Sequence, residues 1–164
     1  MDEFDEMNAM SSADLDDDDG YEARRGGCSS GRVFTLFRKR GLDFSFLPAS
    51  TSQTVTVRKA LRVSPYYYYW LGIRIHNIDI GNATSSIALN VYNTLPYGQD
   101  PQEFSATTAS MSLTVSQADT APKLEITTAS NLGPYFKIQL VATGGSAVAR
   151  LYAEVSAVLF ARPA

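Results

Sequence analysis

The sequence predicts an all-β protein: a single antiparallel β-sandwich or jelly-roll-like domain over residues 32–164, preceded by an extended acidic N-terminal arm over residues 1–31. Three observations carry that expectation. Short runs of apolar residues alternate with polar ones at period 2, the spacing of a half-buried strand. Turn residues interrupt these runs every 8–15 positions, and no stretch shows a convincing helical stripe. Aromatic residues make up 11% of the chain against only 19% charged, which leans toward strands and contact surfaces.

The arm stands apart by charge. Its first 22 residues hold ten acids, among them Asp16, Asp17, Asp18 and Asp19, and no lysine or arginine. Seven acids and all fourteen bases remain for the rest, so a segment of −10 precedes a body of +7 although the whole chain carries only −3. Low hydrophobicity and the Gly26–Gly31 stretch leave the arm little to bury. Phe4, Met7, Met10 and Leu15 are its apolar exceptions, and Arg24 and Arg25 reverse its sign abruptly.

From Arg32 onward the strands begin. Val33–Phe37 reads as the first, closed by Arg38, Lys39, Arg40 and Gly41; Leu42, Phe44 and Phe46 alternate in a short second one. Thr54–Arg58 alternates cleanly, and Leu61 and Val63 lead to Ser64-Pro65, where proline restricts itself and its predecessor. Then comes the run Tyr66-Tyr67-Tyr68-Tyr69-Trp70-Leu71-Gly72-Ile73-Arg74-Ile75, expected to be the central strand. Period 2 puts Tyr67, Tyr69, Leu71, Ile73 and Ile75 on one face, apolar enough for a core. Tyr66, Tyr68, Trp70, Arg74 and His76 fall on the other.

Gly81-Asn82 marks a turn, after which Ile87, Leu89 and Val91 alternate. Asn93–Phe104, with two prolines, reads as the longest loop of the body. Met111, Leu113 and Val115 form a clean half-buried strand, and Leu124 and Ile126 a shorter one. Phe136, Ile138, Leu140 and Ala142 alternate up to Gly144-Gly145, a hairpin signal. In Ala149–Phe160, Ala, Leu and Glu would also suit a helix. The preceding turn, two valines and unbroken alternation of Leu151, Ala153, Val155, Ala157 and Leu159 favour a strand.

Catalytic chemistry is hard to assemble from this chain. Its one histidine, His76, lies on the polar side of the tyrosine strand with no nucleophile motif nearby, and its one cysteine, Cys28, sits among glycines and serines. A single cysteine also excludes an internal disulfide framework. The few body carboxylates fall largely in turns, which suits neither a glycosidase pair nor a specific calcium site at Asp79, Asp100 and Glu103. Asn82-Ala83-Thr84 matches a glycosylation acceptor but reads as a turn. The expectation is a non-enzyme needing no cofactor. No signal-like or 18-residue apolar segment is seen, so the expected setting is an assembled particle made in the cytoplasm, with no membrane partner.

Nine bases lie between Arg24 and Arg62 against one acid, interleaved with phenylalanines, a pattern that can track nucleic acid. The acidic arm tethered beside them would compete, and no nucleic-acid-binding module frames them. The charge split instead favours association with other copies of the chain, since complementary charge steers and orients encounter. The candidate interface therefore comprises Tyr66, Tyr68 and Trp70, the bases Arg24, Arg25, Arg38, Lys39 and Arg40, and the acids Asp16–Asp19. Stacked aromatics also bind sugar rings, so a carbohydrate-binding or adhesive module is the alternative reading; packing within the sheet is a further one.

A polar arm followed by one compact sandwich, with the Tyr67–Ile75 strand, the Thr94–Phe104 loop and the closing Ala149–Arg162 strand, resembles accessory head proteins of tailed phages and related capsid-like particles. That resemblance implies a virion component, a decoration or minor capsid protein present in many copies and bound to itself or to a protein shell.

Overall fold

A computed structural model describes residues 31–95 and 106–164. The Asp16–Asp19 run, Arg24, Arg25 and Cys28, together with most of the loop between Asn93 and Phe104, lie outside the described residues. Among the described residues eight antiparallel strands follow one another: β1 Arg32–Asp43, β2 Ser52–Arg62, β3 Tyr68–Ile80, β4 Ser86–Thr94, β5 Met111–Ser116, β6 Lys123–Ser130, β7 Tyr135–Thr143 and β8 Leu151–Arg162. They form two four-stranded sheets, ordered β1-β8-β3-β6 and β2-β7-β4-β5. The pairs β1/β8, β2/β7, β3/β6 and β4/β5 are nested like a long hairpin rolled upon itself, giving the two-sheet antiparallel β-sandwich expected.

The alternation read from the sequence places the core. Leu151, Ala153, Val155, Ala157, Leu159 and Ala161 all turn inward from β8, and Tyr69, Leu71, Ile73 and Ile75 do so from β3. Ile87, Leu89 and Val91 of β4, Met111, Leu113 and Val115 of β5 and Phe136, Ile138, Leu140 and Ala142 of β7 meet them from the facing sheet. Because β8 lies between β1 and β3, its backbone is paired on both sides. That ladder overrides the helix propensity of its alanines.

Three local expectations give way. Residues 38–41 do not close a strand; β1 runs through them by register shifts between Thr35 and Phe37 and between Phe37 and Arg40. Lys39 takes a φ of 28° there, and the extra residues of a bulge let one strand keep pairing where two were expected. Tyr66 leaves the outward row. Its N–H donates to the Val63 carbonyl in the turn before β3, and its ring packs edge-on against Phe34, 6.4 Å away. Tyr67, assigned inward, is 37% exposed. Strand alternation starts only at Tyr68, so the two residues before it obey the turn.

The third correction concerns β6. Leu124 and Ile126 are 63% and 58% exposed and point away from the core, while Lys123 and Glu125 take the other side. Lys123 Nζ meets Asp119 Oδ1 and Glu125 Oε1, each at 2.5 Å. Asp119 also accepts the Ser116 N–H at 2.8 Å, tying together the crossing from β5 to β6. The ion-paired side of this edge strand seals the rim of the sandwich, and the apolar side is left to the outer face.

Candidate functional site: the outer face of the β1-β8-β3-β6 sheet

The register of three strands assembles this site. Trp70 stands opposite Thr128 on one side and Phe160 on the other; Gly72 stands between Ile126 and Val158; Arg74 stands between Leu124 and Ser156. Side chains at paired positions share a face. The Trp70 and Phe160 rings accordingly lie 5.3 Å apart, and Tyr68 lies 6.3 Å from Trp70. Gly72 contributes no side chain, so Ile126 and Val158 flank a shallow dip beside the indole. Leu124, Ile126, Tyr68 and Val158 are all exposed. From strand spacing and rise, the apolar surface measures roughly 15 Å by 20 Å, on the order of 300 Å².

Cations rim the patch. Arg74 borders it at one end and Arg162, paired with Tyr68, at the other; both are exposed and neither has an ion-pair partner among the described residues. Below Arg74 the face turns polar. Ser156 Oγ accepts the Lys39 N–H at 2.9 Å and lies 2.8 Å from His76 Nε2, while Lys39 Nζ stands 3.9 Å from Glu154. Farther on, Arg150 pairs with Asp79 at 3.1 Å and lies over the Tyr152 ring.

The opposite sheet presents a different outer face. There the Ser112 hydroxyl donates to Asn90 Oδ1 at 2.6 Å, Gln139 Nε2 donates to Thr56 Oγ1 at 3.2 Å, and Lys137 caps the Tyr92 ring. These are small polar groups already bonded to one another. Among the described residues, the exposed large apolar side chains that lie on strands, Tyr68, Leu124, Ile126 and Val158, all belong to the sheet carrying Trp70. Among the described residues no group of three or more His, Cys, Asp or Glu is placed to hold a metal ion, and no helix is long and apolar enough to cross a membrane.

Of the residues expected at an interface, Tyr68 and Trp70 share this face. Lys39 reaches its polar end, and Arg38 is exposed on the bulge. Arg40 is half-buried opposite Val155, and Tyr66 is packed on the core side. Phe160, Val158, Leu124 and Ile126 join this face without having been expected at an interface. Their signal was present: after Ser156, β8 is apolar on both faces, and a strand between a charged loop and a turn had its largest residues at even positions.

No protein-family model matches the chain, and no curated protein matches it either. Solved structures do. The crystal structure of the infectious bursal disease virus VP2 subviral particle aligns with 84% of this chain at 13% identity and a TM-score of 0.52. The likeness is one of fold. A structure of the Gx strain of the same virus aligns with 83% of the chain at 11% identity and a TM-score of 0.49. This chain spans about a third of the length of those viral chains, 33% and 32% respectively. The structural likeness is thus to proteins of infectious bursal disease virus rather than to accessory proteins of tailed phages in particular.

Proposed function

We propose that this protein is a non-enzymatic structural component of a virus-like particle, acting through contacts with other copies of itself or with a protein shell. The observation that carries this reading is the outward apolar patch of Tyr68, Trp70, Val158, Phe160, Leu124 and Ile126. A patch of this size is in the range of the largest one on a typical soluble monomer, and such patches often serve a function. The fold shared with a viral subviral particle supports the same reading, although jelly-roll domains serve both capsids and lectins, so the fold does not choose between them.

The composition of the patch favours protein over sugar. A sugar platform sets hydrogen-bonding groups beside its aromatic rings, whereas on its own row Trp70 stands between Phe160 and Thr128, and the charged groups Arg74 and Arg162 are set at the ends of the patch. Aromatic and aliphatic anchors without polar partners suit the dry centre of a protein contact. A decoration or minor capsid role is the finer form of the proposal.

Ile126→Lys in the full chain tests it. Ile126 is exposed, so monomer stability should stay within about 0.5 kcal/mol, the usual range for a surface change. A charge placed in the contact should disperse the assembly in sedimentation velocity. Unchanged sedimentation would overturn the reading, and retention of the unaltered monomer on glycans would transfer the face to the lectin alternative.

A further inference from the structure

We infer that the apolar patch has a resident occupant: the acidic arm of the same molecule, folded back so that its apolar residues cover Trp70 and its carboxylates meet the cationic rim. The inference rests on the reading of this face as a contact surface and specifies what lies on it before a partner arrives.

The point where the chain enters the body is the first argument. Gly31 lies directly against the Phe160 ring, so closely that a Cβ there would collide with it, and the next residue pairs with Ala161. Phe160 is itself in contact with Trp70. The arm therefore starts at the border of the patch. Gly26, Gly27 and Gly31 supply residues free to reverse the chain direction.

Length and area agree. Leu15 lies sixteen positions before Gly31, and sixteen residues of chain can span up to about 53–58 Å, more than enough to return across the long dimension of the patch. Tethering at such a distance gives effective concentrations in the millimolar range. A patch on the order of 300 Å² is well short of the roughly 800 Å² per partner of a standard stable interface. It suits a short segment carrying a few anchors, and the arm carries Phe4, Met7, Met10 and Leu15.

Charge is the third argument. The arm brings ten acids, and Arg74 and Arg162 bracket the patch without ion-pair partners among the described residues. Such pairing is local and salt-sensitive, because screening lengths are about 8–10 Å at physiological ionic strength and about 3 Å at 1 M.

Trp70 is the only tryptophan in the chain, which makes it a reporter for its own cover. Acrylamide quenching of its fluorescence is measured on the full chain, on a variant with Asp16, Asp17, Asp18 and Asp19 all changed to Asn, and on one with Phe4, Met7, Met10 and Leu15 all changed to Ser. The unaltered protein should show a shielded Trp70 at low salt, unchanged on serial dilution. The quenching constant should rise several-fold in the apolar-arm variant, and partly in the Asn variant and in 1 M NaCl. Equal quenching in all three proteins at low salt would overturn the inference. Shielding that disappears on dilution would also overturn it, by assigning the cover to a second copy, an outcome that leaves the proposed function standing. Shielding by the arm combined with unchanged sedimentation of the Ile126→Lys variant would sustain the inference while removing the assembly reading.

Discussion

Tyr69 and Trp70 are neighbours in sequence and face opposite worlds. Tyr69 is 1% exposed, its ring 4.8 Å from Phe136 of the facing sheet and its hydroxyl donating to the Tyr66 carbonyl at 2.6 Å. Trp70 turns outward to Phe160. One peptide bond thus separates the centre of the core from the centre of the candidate contact, and the two side chains make separable predictions.

Truncating Tyr69 to Ala should cost about 3–5 kcal/mol, the usual penalty for removing a large buried ring. Tyr69→Phe removes only the hydrogen bond to Tyr66 and should cost about 1 kcal/mol. Thermal or urea unfolding of both variants checks this. Equal losses would mean that the hydroxyl's bond to the turn before β3, and not the ring's packing on Phe136, carries the stabilisation.

Trp70→Ala should leave the melting temperature of the folded body nearly unchanged and weaken association. An aromatic buries on the order of 150–250 Å², worth a few kcal/mol at about 25 cal/mol/Å² before ordering costs. Melting and sedimentation are read together. A large drop in melting temperature with normal assembly would make Trp70 a structural residue of the sheet.

Asp119 should impose an acid limb on stability. Burial pushes its carboxyl up, but hydrogen bonds from Lys123 and from the Ser116 N–H and hydroxyl, together with the Lys123 charge, outweigh this and hold it below its ordinary value. A carboxyl depressed in the folded state stabilises the fold fully above its unfolded pKa of about 3.9, and that contribution is lost as pH falls through the folded value. Asp119→Asn should therefore be less stable at neutral pH and should flatten the decline below about pH 4. Parallel denaturation curves for the two proteins across that range would refute the assignment.

Gly145→Ala should destabilise the end of the sandwich where two loops interlock. Gly145 is buried, its N–H donates to Ser85 Oγ at 2.9 Å, and the Ser146 N–H donates to Thr84 Oγ1 at 2.9 Å. A Cβ at Gly145 would run into Thr84 and come within 2.8 Å of both Asn82 Oδ1 and Ser85 Oγ. Overpacking of this kind costs about 1–3 kcal/mol. A melting temperature equal to that of the unaltered protein would mean that the β3–β4 turn yields freely.

By itself the sequence determined most of the strands and, apart from β6 and the residues just before β3, their inward faces. Alternation such as Met111-Ser-Leu-Thr-Val115 leaves a strand in one-sided water little choice of face, because a slip of one residue would expose every apolar group. It also determined the arm's charge and the outward turn of Trp70, since both follow from composition and period 2. Only the tertiary structure decided which strands lie side by side. The meeting of Trp70, Phe160 and Ile126 depends on β8 and β6 flanking β3, a pairing across more than fifty residues that no local pattern encodes. The same holds for β6, whose apolar residues point away from the core because Lys123 and Glu125 are ion-paired along the rim. Burial forces are non-directional along an isolated strand. Which side of an edge strand faces the core is settled by the neighbours that surround it.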